Sequence, residues 1–296
     1  MRRYLSFLFF IVFFVGCANK NEQSQKNSLS CDSADACFNL ATNYYKNQKN
    51  YDKSFDILEK NCAKNHANSC AFLAYLYSKQ TPKQDYDKSL KLSKKACELG
   101  SGAGCYNLAV FFEGEMGEDY KNTEKANKYY NEACEKNNAK GCYNLAVFYS
   151  DFKNILNDYS KAAYLYDKAC KLGHTNSCYN LAMMFYNGDL IEKNYIKAGV
   201  LWQKGCDLGD NDSCYAVGKM YMDGDGFHEN VIKARRYFQT SCEQNHAKSC
   251  YALGGLYLNG RGVPKNTKQG IGLIKKSCEI GFVDACTTHK ALSSKM

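Results

Sequence analysis

The sequence predicts an all-α solenoid of helical hairpins stapled by disulfides, and three observations predict it. Sixteen of the 17 cysteines fall into eight close pairs. Seven pairs have seven residues between their members: Cys62/Cys70, Cys97/Cys105, Cys134/Cys142, Cys170/Cys178, Cys206/Cys214, Cys242/Cys250 and Cys278/Cys286; an eighth, Cys31/Cys37, has five. The pairs return about every 36 residues, the signature of a repeat array in which each unit buries its apolar face against its neighbours.

The remaining cysteine, Cys17, belongs to the amino-terminal segment. Arg2 and Arg3 precede an apolar run, Leu5 to Val15, that is too short to span a bilayer core of about 30 Å. The pattern predicts a cleaved secretory signal over 1–16. Gly16-Cys17 resembles the lipobox of bacterial lipoproteins, which implies lipidation at Cys17, membrane contact through that anchor alone, and a polar linker over 17–30. The destination is then the periplasm and outer membrane, or the cell exterior.

Paired cysteines at this density persist in an oxidising compartment. Zinc ribbons need C-x-x-C hooks, which are absent, and the five histidines form no ligand-spaced cluster. No metal and no cofactor are expected. The net charge of +9 comes from scattered basic residues rather than an arginine-rich stripe, which argues against nucleic acid.

The array runs over 31–290. Counted from the second cysteine of each pair, seven units span 37–69, 70–104, 105–141, 142–177, 178–213, 214–249 and 250–285, and a capping helix occupies 286–296. Within a unit, Leu or Val lies three positions after the cysteine, Ala or Gly four after it, and Tyr or Phe seven after it, as in Leu145, Ala146 and Tyr149. Those offsets share one helix face, so this stretch is helix A. The small residue admits a neighbouring helix. A polar, glycine-bearing loop such as Asn259-Gly260-Arg261-Gly262 then ends helix A with a left-handed cap.

Helix B runs up to the next cysteine pair. Eight residues before that pair the side chain is small (Ser54, Ser89, Ala126, Ala162, Ala198, Ala234, Gly270). Four before it stands a bulky residue in most units: Tyr130, Tyr166, Trp202, Phe238 and Ile274. The single tryptophan therefore reads as core. The cysteine pair spans the link from helix B to the next helix A. Eight residues of straight helix would hold the two Cα atoms about 12 Å apart, whereas a disulfide needs roughly 4.4–6.8 Å. The chain must reverse between them, at residues such as Asn65, Gly100 and Gly173.

Residues 250–285, with Ala252-Leu253-Gly254, Tyr257, Gly260, Gly262-Val263 and the late Cys278-Glu279-Ile280-Gly281, resemble the Sel-one-like repeat (SLR), a cousin of the tetratricopeptide repeat. The added cysteine pair resembles the Helicobacter cysteine-rich protein family, over about 31–290. The resemblance implies a right-handed α/α superhelix. It also implies activities described for that family: penicillin binding, weak β-lactamase action and, for some members, recognition by a host.

The residues give the hydrolase little to work with. A serine β-lactamase needs S-x-x-K with S-D-N and K-T-G elements. One S-x-x-K occurs, Ser150-Asp151-Phe152-Lys153, in the loop after a helix A, so Ser150 and Lys153 are the sole catalytic candidates; S-D-N, K-T-G, H-x-H-x-D and H-E-x-x-H are absent. β-Lactam binding in a groove stays open as the alternative. The favoured expectation is a binding scaffold, since solenoids present a concave face to extended chains. Its partner would be an extended peptide, a peptidoglycan fragment or a host protein. Asparagine recurs two positions after the cysteine, at Asn39, Asn107, Asn144 and Asn180, and an amide that donates and accepts at once suits a backbone clamp. Bridging of neighbouring units is the competing reading. The aromatics directly after the cysteines, such as Tyr143 and Tyr179, either line the groove or pack between units.

Overall fold

The computed structural model describes residues 31–79, 83–115, 117–153, 156–188 and 191–294. The expected signal (1–16), Cys17 and the linker (17–30) lie outside the described residues. The chain divides into two compact units, one ending at Lys64 and one beginning at Asn65. Among the described residues every α-helix belongs to a hairpin except the last, and no strand is present.

The first unit holds one hairpin, α1 (Ala34–Lys46) and α2 (Tyr51–Ala63). The second holds six hairpins and a final helix. Their pairs are α3 (Ala67–Ser78) with α4 (Tyr86–Glu98), α5 (Gly102–Val110) with α6 (Thr123–Glu135), and α7 (Ala139–Ser150) with α8 (Tyr159–Lys171). Next come α9 (Thr175–Asn187) with α10 (Tyr195–Asp207), α11 (Asn211–Asp223) with α12 (Val231–Glu243), and α13 (Ala247–Asn259) with α14 (Thr267–Glu279); α15 (Val283–Ser293) closes the unit. Odd-numbered helices are A helices and even-numbered ones B helices. Each A helix of the second unit begins three residues before the cysteine used to count the repeats. The cysteine thus sits in the first turn rather than at its start.

Local chemistry explains the helix starts. Every B helix is capped by Asn or Asp (Asn50, Asp85, Asn122, Asp158, Asn194, Asn230, Asn266) whose side chain accepts from the backbone N–H three residues on. In six of them that third residue is lysine, and its ammonium lies 4.2–5.3 Å from the ring seven positions after the cysteine: Lys53 over Tyr44, Lys88 over Tyr77, Lys125 over Phe112, Lys161 over Tyr149, Lys197 over Phe185 and Lys233 over Tyr221. One residue thereby tethers the start of helix B to helix A of its own hairpin.

The predicted contact face is buried. Leu108, Leu145, Leu181 and Val217 are at most 3 % exposed, and Ala109, Ala146 and Ala182 are fully buried. The small positions work as expected. A Cβ on Gly218 would lie 2.5 Å from the Phe238 ring, so the glycine is what lets α12 close on α11. Where the small residue of helix B is serine, its hydroxyl donates to a helix A carbonyl: Ser54 to Ala41 and Ser89 to Ala74, both 2.9 Å. One helix departs from the regular pattern. After Val110 the chain widens into a single π turn over Phe111–Glu115, in which Gly114 takes left-handed backbone (φ 103°).

The links reverse as the cysteine spacing requires. The third residue after the first cysteine is left-handed at every described link: Asn65, Gly100, Asn137, Gly173, Gly209, Asn245 and Gly281. Glycine takes that conformation freely, and asparagine is the side chain that tolerates it best. Disulfides join Cys31–Cys37, Cys97–Cys105, Cys134–Cys142, Cys170–Cys178, Cys206–Cys214, Cys242–Cys250 and Cys278–Cys286, with Cα atoms 4.5–4.8 Å apart. Cys62 belongs to the first unit and Cys70 to the second, so their pairing is carried by the spacing. Such a set of bridges places the folded chain in an oxidising environment. No described helix is long and apolar enough to cross a membrane.

Candidate functional site

On the A helices of the second unit, residues one, two, five, eight and nine positions after the cysteine share the face turned away from the stacked core. This face holds most of the side chains singled out from the sequence, and the structure shows what each one touches.

The aromatic directly after the cysteine packs against the bulky residue of helix B in its own hairpin. The pairs are Tyr106–Tyr130 (5.9 Å between centroids), Tyr143–Tyr166 (5.9 Å), Tyr179–Trp202 (6.2 Å) and Tyr215–Phe238 (5.7 Å). Tilted rings at these separations are favourable aromatic geometry. All four rings pack within their own hairpins, and Tyr179 and Tyr215 also line a cavity on this face.

The asparagines divide in two ways. Asn107 donates its amide to the Ala71 carbonyl of the preceding hairpin at 2.8 Å. The Asn144 amide lies beside the Tyr130 hydroxyl and the Asn180 amide beside the Tyr166 hydroxyl, each on the hairpin before, where each works against the rise in that phenol's pKa. Asn107 thus ties its repeat to the one before. Asn39, in the first unit, is exposed.

Each of these tyrosines also meets a residue eight positions after the cysteine. The Tyr130 hydroxyl donates to the Glu113 carboxylate at 2.5 Å, and the Tyr166 hydroxyl lies 3.2 Å from Ser150 Oγ. Burial, reinforced by the Glu113 carboxylate, holds the Tyr130 phenol far above the ordinary tyrosine range, and burial also raises Tyr166. The face therefore carries rungs in which a helix B hydroxyl meets a residue of its own helix A and lies beside an asparagine of the next.

Ser150 is part of such a rung. Its hydroxyl donates to the Val147 carbonyl at 3.0 Å, while the Lys153 ammonium lies over the Phe152 ring at 5.8 Å. Neither raised tyrosine supplies an anionic base beside that serine. Cys97, Cys105 and Glu132 lie close enough to suggest a metal cluster. The two sulfurs are joined to one another, though, so no thiolate is available as a ligand.

A cavity of about 220 Å³ opens on the same face between α9, α11 and α13. Tyr179, Met183 and Tyr186 come from α9, Tyr215, Ala216 and Lys219 from α11, and Lys248 from α13; Trp202 of α10 lines it from below. Asp212 and Asp223 also border it. Asp212 faces His246 at 3.2 Å and Asp223 pairs with Lys219 at 2.7 Å. Sequence reasoning passed over this place because the repeated asparagine is missing there, and an absence inside a pattern is a weak signal in one dimension.

Tyr186 beside this cavity gives a pH prediction. Its hydroxyl donates to Asp225 at 2.8 Å, and that bond, with some burial, pushes the phenol up to about 12 from its ordinary 10.0. A raised phenol favours the protonated, folded form. Its contribution is complete below about pH 10 and disappears as pH rises through about 12. Asp225→Asn is expected to return one tyrosine toward pH 10 in an ultraviolet titration of the folded protein; an unchanged curve would show that this bond does not set it.

Comparison with known proteins agrees with the repeat count. The Sel1 repeat model matches seven times, at residues 34–66, 67–101, 102–138, 139–174, 175–210, 211–246 and 247–282. A protective antigen of uropathogenic Escherichia coli strains displaying an SLR fold superposes with a TM-score of 0.73 at 24 % identity, over 89 % of this chain. This chain spans 57 % of that antigen's length. A Sel1 repeat protein from Oxalobacter formigenes gives a TM-score of 0.62 at 20 % identity, covering 81 % of this chain and 96 % of its own. Helicobacter pylori cysteine rich protein B is 30 % identical over 44 % of this chain and 92 % of its own, with a TM-score of 0.37. A comparison with curated proteins found no match. The chain belongs to the Sel1 repeat family.

Proposed function

We propose that this protein is an exported scaffold that binds an extended polypeptide along the A-helix face of its second unit. The observation that carries the reading is the cavity built by three successive A helices. Its lining comes from α9, α11 and α13 in turn, so a ligand lying in it crosses repeats instead of sitting within one. That is how a stacked array reads an extended chain. The lining combines aromatic walls, two methionines and charges of both signs, the residue mix of adaptable protein-binding surfaces. Export is supported by the bridges at the links and by the amino-terminal pattern ending at Cys17.

A photo-crosslinking amino acid placed on either side of the helical layer tests the reading. Val147 and Lys219 lie on the A-helix face; Val200, 58 % exposed, lies on a B helix. Peptides selected from a random library against the oxidised protein are expected to crosslink at 147 and 219 and to leave 200 unlabelled. Labelling confined to 200 would overturn the proposal. So would turnover of a chromogenic cephalosporin that disappears in Ser150→Ala, which would put the β-lactamase reading in its place.

A further inference from the structure

Basic residues that are scattered along the sequence gather on one set of helices. The B helices α8, α10, α12 and α14 hold eleven lysines and arginines against four acids, Asp167, Asp207, Glu243 and Glu279. The A helices of the same stretch, α7, α9, α11, α13 and α15, hold four lysines against three acids. The two sets thus carry net charges of +7 and +1. Two of the four B-helix acids are engaged within their own helices, Asp167 with Lys171 at 2.6 Å and Glu279 with Lys275 at 3.6 Å. Lys168, Lys204 and Arg236 make no ion pair among the described residues, so their charge is open to a partner.

The same helices expose apolar side chains in register. Tyr164 of α8 and Val200 of α10 each stand six residues before the first cysteine of their pair, and Ile196 of α10 and Ile232 of α12 each stand ten before it. All four are 53–66 % exposed. Ile196 and Val200 are one turn apart and share the outward face of α10. Between α8 and α10 that face dips into a groove of about 480 Å³, lined by Tyr164, Ile196, Val200 and Leu201 with Phe185 of α9. Packing within the hairpins does not call for these residues, because helix B turns its other side to the core, at Ala162, Tyr166, Ala198 and Trp202. One exposed aliphatic side chain is ordinary, but four in register over three repeats make a patch.

We infer that the outer face of α8, α10 and α12 rests on an anionic phospholipid bilayer. Tyr164, Ile196, Val200 and Ile232 enter the boundary between headgroups and acyl chains, and the lysines and arginines around them meet the lipid phosphates. The mixture of residues selects lipid over a protein partner. The centre of a protein interface is poor in lysine, whereas a helix lying in a membrane surface sets apolar side chains among lysines and arginines whose stems lie along the apolar layer. The excess of positive charge on this set of helices adds attraction to an anionic surface. This contact does not depend on the peptide reading, and it leaves the A-helix face free for a bound chain. It is also a second membrane contact beside the one expected at Cys17.

Vesicle flotation tests the contact, with phosphatidylcholine alone or with about one third phosphatidylglycerol. The protein is the oxidised chain from residue 18 on, which keeps every described helix and lacks the anchor residue. It is expected to bind the mixed vesicles at least about tenfold more tightly than the neutral ones, and to lose that preference as salt rises from about 0.05 to about 0.5 M. Ile196→Ser with Val200→Ser should weaken binding roughly tenfold at an unchanged melting temperature, since both side chains are exposed. Lys204→Glu with Arg236→Glu should weaken it at least as much. The same change of charge on A helices, Lys140→Glu with Lys290→Glu, should leave it within about twofold. Equal binding to the two kinds of vesicle overturns the proposal, and so does binding that the serine pair leaves intact. If the serine pair does not fold, the charge pairs decide: equal losses on A and B helices overturn it. A dimer in solution that Ile196→Ser dissociates would also overturn it and assign the stripe to a second copy. Peptide crosslinking at 147 and 219 is read separately, so either proposal can fail without the other.

Discussion

Replacing Cys170 and Cys178 together by serine is expected to destabilise the protein by about 2–3 kcal/mol, the loop-closure contribution of one short bridge. The two residues lie at the ends of α8 and the start of α9, both at most 1 % exposed, with Cα atoms 4.8 Å apart. Their burial adds to the effect, since two polar hydroxyls would be enclosed where the cystine now lies. Equilibrium urea unfolding of the variant beside the parent measures the change. Because Cys170–Cys178 and Cys242–Cys250 are separate bridges that share no residue, a second double variant at Cys242 and Cys250 should cost a similar amount, and the two losses should add. A change under about 0.5 kcal/mol would mean that the links hold their shape without the bridge. Full reduction should accordingly unfold the chain under conditions in which a single pair is tolerated.

The second large effect belongs to the core. Phe238 is fully buried and packs on Tyr215, Ala234, Leu253 and the bare backbone of Gly218. Phe238→Ala is expected to cost about 3–5 kcal/mol, because removing a ring from a close-packed site loses its burial and leaves a cavity. Gly218→Ala probes the same contact from the other side. Its new methyl would meet the ring at 2.5 Å, and with no flexible side chain to give way the expected cost is about 1–3 kcal/mol. Combined with Phe238→Ala, that glycine substitution should become harmless, because the methyl then fills part of the space the ring has vacated. Additive losses in the double variant would show that the close approach of α11 and α12 does not depend on this pair. Thermal unfolding of the three variants gives the answer.

The parts of this fold that could be read in advance are those written at fixed offsets from a cysteine. Leu145, Ala146 and Tyr149 announce one face of helix A because side chains three, four and seven apart are neighbours on any helix. The reversal at the link followed from geometry alone, since two cysteines eight residues apart cannot meet along a straight helix, whereas its left-handed backbone had to be seen. Other features needed three dimensions. Lys161 and Tyr149 are separated by a loop of unpredictable path, so their cation–π contact has no local signature, although the preceding Asp158 cap could have marked the start of α8. The asparagines were visible as a pattern but not as a role. Asn144 and Asn180 each follow, 14 residues later, a tyrosine whose hydroxyl they lie beside, and where tyrosine gives way to Trp202 or Phe238 the asparagine gives way to alanine. That correlation lies in the sequence, yet it means something only once helix B of one repeat is seen beside helix A of the next.

The left-handed reversal after each first cysteine has a consequence for how the protein is made. It brings together two thiols only eight residues apart in sequence, so a chain oxidised as it emerges amino terminus first would pair each such cysteine with its proper partner before the next pair appears. A chain with 17 cysteines could in principle be trapped in a very large number of wrong pairings. Here proximity in sequence favours the right one at each step. Biogenesis would then require an oxidant but little reshuffling of bridges, and a repeat could be gained or lost in evolution without disturbing how its neighbours acquire theirs.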